Sequence, residues 1–212
     1  MAGNENDLMT GKAYRTHVPV LLEPVVDHLL AGKDGLVTEA VSGGDASRPV
    51  WPDWIPSPGL EERLEGVYID ATLGGGGHSA RLLARLGSAG TVYGMDQDPE
   101  ALAAARGRIG PDPRFHPIQG NFAFLDTLLP PEHLGRVQGV LFDLGVSTHQ
   151  IQEPERGFSF QADDAELDMR MSPDAPTTAE VVVNETDPDE LRRILWQYGE
   201  ERHSRAIVRA IV

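Results

Sequence analysis

Cysteine and long apolar runs are both missing from this sequence. Because none of the 212 residues is cysteine, the chain has neither a disulfide framework nor a thiolate metal site. No apolar stretch approaches the roughly 20 residues that a membrane-spanning helix needs, and the N-terminal segment lacks the apolar core of a signal peptide. These absences predict a cytoplasmic location.

Basic residues are scarce. The 18 lysines and arginines stand against 33 acidic residues, and the net charge is −15. A generic nucleic-acid-binding protein carries a basic face, because phosphate neutralisation supplies most of its affinity. Any basic surface here must therefore be local. Residues 192–209, with five arginines, are the best candidate, although a solvated helical face is the simpler interpretation of that stretch.

From residue 67 onward, apolar runs alternate with helical patterns. Four segments have the strand pattern: residues 67–71, 91–96, 115–119 and 137–143. The last is apolar enough to predict burial on both faces. Three helical segments lie between the strands: residues 78–86, 99–109 and 122–129. Strands alternating with helices at this spacing predict an α/β fold with a parallel, doubly wound sheet.

The remaining segments are less regular. Residues 1–16 are polar and predict a loose tail, and residues 18–30 have the spacing of an amphipathic helix. Residues 33–65 include four prolines and show no helical or strand period, which indicates an inserted surface loop or a linker. Residues 144–176 also lack a period, and a loop of that length is usually functional or disordered.

Two helices are predicted near the end of the chain. Asp187 and Glu190 form a capping-box pattern, which predicts a helix from there to Tyr198. A last helix is predicted from about Glu201.

Four consecutive glycines, residues 74–77, follow the first strand and precede a helix. Glycine lets backbone approach a ligand where a Cβ would clash, so this position favours a ligand site over a plain turn. Asp96 ends the second strand, where a carboxylate can accept both hydroxyls of a ribose. Capping the next helix is its simpler role, but Asp98 is better placed for that. The pair therefore predicts an adenosine cofactor.

Three kinds of cofactor site contain a glycine turn that follows a strand, and they differ in the residues that they need beside it. A P-loop requires a lysine after the glycines, and none is present. A dinucleotide site prefers G-x-G-x-x-G; Gly74 and Gly76 fit, but Ser79 occupies the third position, so an NAD-dependent oxidoreductase stays as the alternative. S-adenosylmethionine has no pyrophosphate to cradle and needs the turn, a ribose acid, and groups for the adenine and the reacting centre. Because this cofactor is already activated, no metal is predicted.

The chain offers candidates for those further groups. Phe122, after the third strand, either stacks on adenine or packs in the core. Asp143 ends the fourth strand, where open α/β sheets place reactive groups. Gln150 can donate or accept a hydrogen bond in the same pocket, although a surface position is the simpler interpretation for it.

Eight motifs occur in one order along the chain: HVPVLLEPVV (17–26), YIDATLGGGGHS (68–79), GMDQDP (94–99), GNF (120–122), LFDLGVS (141–147), ERGFSF (155–160), LDMRM (167–171) and YGEER (198–202). Together they resemble the RsmH (MraW) family, methyltransferases that modify N4 of a cytidine in 16S ribosomal RNA. The resemblance implies a class I S-adenosylmethionine-dependent methyltransferase fold, a Rossmann-like parallel sheet with helices on both faces. It also implies 16S rRNA within the small ribosomal subunit as the partner.

The resemblance assigns roles to particular residues. The family's cofactor contacts fall here on Gly76, Gly77, His78, Asp96, Phe122, Asp143 and Gln150. Asp143 is also the candidate catalytic residue, because an exocyclic amine must be aligned and must lose a proton as the new bond forms. Residues 17–150 then form the cofactor-binding core, and residues 151–212 begin a helical domain for substrate recognition.

Family members are considerably longer than this chain, and a class I sheet has seven strands, of which four are predicted here. The chain is therefore expected to be the N-terminal part of a longer protein. A non-catalytic fragment is the second alternative to the methyltransferase hypothesis.

Overall fold

A computed structural model of the protein describes four parts of the chain: residues 19, 21–31, 60–160 and 164–212. The predicted tail at 1–16 and most of the predicted insertion at 33–65 lie outside these parts. The end of the insertion was expected to have no period. It forms the short helix Leu60–Leu64 instead, because Leu64 packs against the buried core.

The chain divides into two compact units, Met1–Gly145 and Val146–Val212. The regular elements of the first unit are α1 (Leu22–Ala31), α2 (Leu60–Leu64), β1 (Val67–Asp70), α3 (Gly77–Leu83), β2 (Thr91–Asp96), α4 (Pro99–Ile109), β3 (Phe115–Gln119), α5 (Leu125–Leu128) and β4 (Val137–Leu141). Those of the second unit are α6 (Thr148–Gln152), α7 (Ala179–Glu185), α8 (Pro188–Gln197) and α9 (Ser204–Ile211). Among the described residues, no helix is long and apolar enough to cross a membrane.

The four strands form one parallel sheet in the order β3-β2-β1-β4. The chain moves outward from β1 to β3 and then returns to the other side of β1 to form β4. This reversal confirms the predicted parallel α/β sheet. Such sheets bind their ligands at the carboxyl ends of the strands where the order reverses, which here are β1 and β4.

Strand alternation sorts the apolar side chains onto two faces of the sheet. Tyr68 and Val92 belong to a core cluster with side chains from α1, α3 and α4. Ile69 and Met95 belong to the opposite cluster, together with Leu129. Burying a large apolar side chain contributes about 1.5–3 kcal/mol, so these two clusters hold the strand ends, and the residues that follow them, in fixed positions.

The prediction for the fourth strand was wrong in two respects. The strand ends at Leu141, and it is not buried on both faces, since Val140 is 39% and Phe142 is 51% exposed. In the described part of the sheet β4 is an edge strand that pairs only with β1. An edge strand is covered less than a central one, and apolar character alone did not reveal this.

Two predicted helices also differ in extent. The helix expected at 78–86 ends at Leu83, although Leu86 is buried as expected. The helix expected at 122–129 is split into a one-turn 3-10 helix, Phe122–Phe124, and α5. The Asn121 side chain caps the start of the 3-10 turn by accepting from the amide N–H of Ala123 at 2.8 Å, and the break falls at Phe124, whose φ of −110° and ψ of 23° are not helical.

In the second unit, the irregular segment 144–176 contains an ordered loop. Arg170 donates from Nε and Nη2 to the two carboxylate oxygens of Asp168 at 2.9 and 2.6 Å. The amide of Met169 donates to the carbonyl of Arg156 at 3.0 Å, and Arg156 Nη2 donates to the carbonyl of Arg170 at 3.0 Å. These contacts join the RGFSF and LDMRM motifs into one hydrogen-bonded structure.

The helices at the end of the second unit follow their sequence signals closely. Asp187 caps α8 by accepting from the amide of Asp189 at 2.9 Å. The reciprocal half of the predicted capping box is replaced by an ion pair, because the Glu190 carboxylate binds Arg193 at 2.6 Å. The last helix begins at Ser204, three residues later than predicted from Glu201.

Candidate functional site

The glycine turn lies at the carboxyl end of β1 and leads into α3. Gly74 and Gly76 have φ angles of +49° and +72°, a left-handed conformation that glycine adopts without steric cost. Packing also requires glycine at position 76, because a Cβ there would lie 2.8 Å from the Cβ of Ala105 on α4. At Gly74 no described heavy atom lies within 4 Å of the Cβ position, so this glycine borders open space.

The first turn of α3 presents hydrogen-bond donors without partners. The backbone N–H groups of Gly77, His78 and Ser79 donate to no residue that the structure describes, as is usual where a helix begins. Nε2 of His78 is buried and also lacks a partner in the described parts of the chain. Buried polar atoms are normally hydrogen-bonded. The turn therefore suits a ligand with an acceptor group.

Asp96 is joined directly to the glycine turn. Its Oδ2 accepts from the amide of Gly74 at 2.8 Å, and its Oδ1 accepts from the amide of Asp98 at 3.0 Å. Burial raises the pKa of Asp96, and these backbone hydrogen bonds offset part of that rise. A carboxylate offers about four lone-pair sites, and the backbone N–H groups of Gly74, Gln97 and Asp98 use up to three of them, which leaves at least one for a hydroxyl of a ribose. The structure thus brings together the two features that the sequence singled out.

A second acid, Asp70, ends β1 directly before the turn and was not among the predicted site residues. It is 2% exposed, and its Oδ2 accepts from Oγ of Ser79 at 2.8 Å. Burial raises the pKa of Asp70 to about 6, against the lowering effect of that hydrogen bond. The signal in the sequence is the one used for Asp96, an acid at the last position of a buried strand.

Asp143 follows β4 and is held at the same edge of the sheet. Its backbone N–H donates to Oγ1 of Thr72 at 2.7 Å, which ties the end of β4 to the turn after β1. The Asp143 carboxylate is exposed and has no hydrogen-bond or ion-pair partner among the described residues. It therefore stands at the strand-order reversal with its oxygens available to a ligand.

Phe122 forms an aromatic pair with Phe142. The two rings are 5.4 Å apart and nearly perpendicular, at 84°. They are 37% and 51% exposed, so neither is a fully buried core residue. Such a pair can receive a planar base against an exposed ring face. Phe142 was not predicted to belong to the site, because residues 137–143 have the apolar pattern of a strand buried on both faces.

Six of the predicted cofactor residues lie in the first unit, and the seventh, Gln150, lies in the second. Gln150 is 4% exposed and forms a reciprocal capping box with Ser147 at the start of α6. Its Oε1 accepts from the amide of Ser147 at 2.8 Å. The structure therefore gives Gln150 a local role in addition to its predicted contact with the cofactor, which stays a prediction.

Known proteins resemble this chain over most of its length. The family model described as the MraW methylase family matches residues 14–212. Ribosomal RNA small subunit methyltransferase H of Heliobacterium mobile is 46% identical over 157 residues, covering 72% of this chain and 49% of the relative. Proteins with the same name from Flavobacterium psychrophilum and Coxiella burnetii are 49% and 41% identical, covering 73% and 79% of this chain and 51% and 54% of their own.

The chain spans about half the length of the curated relatives it matches. Among solved structures, a proposed rRNA methylase from Clostridium thermocellum is 25% identical over 31% of this chain and 38% of that chain; its TM-score of 0.29 is too low to bear on the fold. The resemblance inferred from the eight motifs is confirmed by the family model and by relatives at 41–49% identity. The chain therefore belongs to the MraW methylase family.

Proposed function

We propose that this chain forms the cofactor-binding part of a cytoplasmic methyltransferase that uses S-adenosylmethionine and modifies N4 of a cytidine in 16S rRNA of the small ribosomal subunit. The observation that carries the proposal is the hydrogen bond of 2.8 Å between the Gly74 amide and the Asp96 carboxylate. It joins the glycine turn, which follows β1 at the topological switch of the sheet, to the acid that ends the neighbouring strand β2. The family's description as a methylase leaves the NAD-dependent alternative without support.

The residues of the first unit match the parts of this cofactor. The unpartnered N–H groups that begin α3 suit its carboxylate, and the free lone pairs of Asp96 suit its ribose. The exposed ring faces of Phe122 and Phe142 suit its adenine. When bound, S-adenosylmethionine supplies an activated methyl group, which removes any need for a metal to activate the donor.

Asp143 is the residue proposed to act on the substrate. The lone pair of an exocyclic cytosine amine is delocalised into the ring, so the amine is a poor nucleophile. A carboxylate without a partner can accept a hydrogen bond from the amine, align it and take its proton as the N–C bond forms. A base that is modified at this position has to lie outside its stack to reach the site.

Calorimetric titration with S-adenosylmethionine tests the cofactor site. Asp96→Asn removes a charged acceptor for the ribose hydroxyls, and hydrogen bonds to charged groups contribute about 1.5–3 kcal/mol. We expect the affinity to fall about 10- to 100-fold. Asp112→Asn is the matched control, because Asp112 precedes β3 and so lies at the opposite edge of the sheet. Equal affinities for the wild type and Asp96→Asn would refute the assignment.

A methyl-transfer assay tests the catalytic role. Small ribosomal subunits that lack the modification are incubated with the protein and S-adenosylmethionine labelled in its methyl group. If Asp143 acts on the amine, Asp143→Asn lowers incorporation by about 100-fold or more and leaves cofactor affinity nearly unchanged. A parallel loss of affinity would instead assign Asp143 to cofactor binding. Cofactor binding by the wild type without any incorporation would support the hypothesis of a non-catalytic fragment.

A further inference from the structure

The arginines near the end of the second unit fall into two groups. On α8, Arg192 and Arg193 each pair with an acid three residues earlier in the same helix, at 3.6 and 2.6 Å. Arg202, Arg205 and Arg209 differ, because none of them forms an ion pair or a side-chain hydrogen bond with any residue in the described parts of the chain. The basic stretch at residues 192–209 therefore contains two groups of arginines. Those of α8 are neutralised by ion pairs, whereas the other three have no acidic partner among the described residues.

These three arginines lie on α9 and in the turn directly before it. Arg205 and Arg209 are four residues apart in the helix, which places them on the same face, and Arg202 lies in the turn that leads into the helix. All three are exposed. The buried residues of the helix, Ser204 and Val208, lie on a different side. We call the surface formed by Arg202, Arg205 and Arg209 the arginine face.

Two of the three arginines are unfavourably placed relative to the helix dipole. Arg205 lies in the first turn and Arg202 just before it, next to the positive end of the dipole, where a cation is unfavourable. Arg209 lies in the last turn, where the dipole favours a cation, but it repels Arg205 at a spacing of four residues. Residues 202–212 contain no acid, and Glu200 and Glu201, which precede them, form no ion pair with these arginines in the described structure. Exposed charges without a partner among the described residues are available to an external anionic partner.

We propose that the arginine face binds phosphate groups of an RNA backbone, and this inference rests on the proposed function. Arginine presents a planar fork of donors that matches the oxygens of a phosphate. A positive face on an otherwise acidic chain is complementary to RNA and gives the contact a marked dependence on salt. The role of the face is to position the RNA on the second unit, and it takes no part in the methyl-transfer step.

The experiment measures how binding of RNA depends on salt. The probe is a fluorescein-labelled single-stranded RNA of about 20 nucleotides, titrated with the full chain between about 50 and 200 mM salt. R205Q/R209Q is compared with R106Q/R136Q, which removes two exposed arginines of the first unit that also have no ion pair among the described residues. R205K/R209K keeps the charge and tests whether charge or packing matters.

Each phosphate contact on single-stranded RNA contributes about 0.7 to the slope of log K against log salt. R205Q/R209Q is therefore expected to reduce the slope by about 1.4, so that the wild type loses about 7-fold more affinity than this variant over the range. R202Q added to it should reduce the slope by about a further 0.7. The control variant and R205K/R209K should both keep the wild-type slope.

An unchanged salt slope for R205Q/R209Q would overturn the inference, and so would the absence of RNA binding at the lowest salt. Binding of poly-glutamate that is as tight as binding of RNA, and that depends on the same arginines, would also overturn it, because the face would then be assigned to an acidic protein. Titration of R205Q/R209Q with S-adenosylmethionine separates this inference from the proposed function. Unchanged cofactor affinity together with an unchanged salt slope refutes the arginine face alone. Absence of cofactor binding in the wild type refutes the proposed function whatever the RNA does.

Discussion

Burial of the Asp70 carboxyl is expected to make the protein less stable at neutral pH. The side chain is 2% exposed, and its hydrogen bond from Ser79, at 2.8 Å, only partly replaces the water that an ionised carboxylate loses. The folded state therefore holds the proton more tightly than the unfolded state does. Asp70→Asn removes the charge and keeps the shape of the side chain.

The magnitude follows from the two pKa values of Asp70. Burial raises the pKa from 3.8 to about 6 in the folded protein, a difference of about two pH units or about 3 kcal/mol. Because the folded value is the higher one, this stabilisation is fully present below about pH 4 and is lost as the pH rises through about 6. Relative to the wild type, Asp70→Asn should therefore gain about 3 kcal/mol between about pH 4 and pH 7.5.

Urea denaturation at several pH values measures this difference. Subtracting the free energies of unfolding of the two proteins cancels the other titrating groups, provided that they behave alike in both. A constant offset of about 1 kcal/mol is expected at every pH, because the side-chain amide of the variant replaces one acceptor oxygen near the backbone N–H of Thr72. Asp126→Asn, which removes an exposed acid at the start of α5, measures the effect of losing a surface charge.

A difference in unfolding free energy between the wild type and Asp70→Asn that is flat across this range would contradict the raised pKa of Asp70. So would a loss of stability in the variant, relative to the wild type, as the pH rises, since that would mean that the folded protein favours the ionised form of Asp70. Such a result would mean that the charge of His78 and the donors Ser79 and Thr72, which lower the pKa of Asp70, outweigh the burial that raises it.

Two further predictions concern the glycine turn and the aromatic pair. Gly76→Ala should lower the free energy of unfolding by about 2–4 kcal/mol, because the new Cβ is placed at a positive φ and clashes with α4. Gly74→Ala, which faces open space, should lower it by about 1–2 kcal/mol. Equal losses of the two variants in urea denaturation would contradict the packing at Gly76. Phe142→Ala should weaken binding of S-adenosylmethionine by about 1–3 kcal/mol, measured by calorimetry. Phe124→Ala, at another exposed ring (60%), should leave the affinity unchanged, and an equal loss there would show that the effect is not specific.

The strands and the pair of glycine turn and Asp96 could be predicted because their signals are local. Apolar runs bounded by turn residues mark a strand, and an acid at the last position of such a run marks the edge of the sheet.

Helix α7 was missed for a local reason as well. Its three consecutive valines favour a strand over a helix, and the cap by Thr178, which accepts from the Val181 amide at 3.3 Å, carries too little sequence signal to reverse that preference.

The features that escaped prediction depend on contacts between distant segments. Burial of Asp70 requires Ser79 and the apolar cluster around β1, and exposure of Phe142 follows from the edge position of β4. The capping box of Ser147 and Gln150 is different, since its S-x-x-Q pattern was readable from the sequence. It shows that a residue predicted to contact a ligand can have a structural role that accounts for its burial.

The net charge of −15 is compatible with the proposed RNA substrate, because salt screens charges that lie far from the contact. At physiological ionic strength the Debye length is about 8 Å, so acids elsewhere on the chain are largely screened from a phosphate that touches an arginine. The first unit concentrates acids at the ends of β1 and β2, which suits a cofactor that carries a positive sulfonium. The second unit holds three arginines that have no acidic partner among the residues described there. The sign of the charge at each contact, and not the sum over the chain, decides which partner each unit can hold.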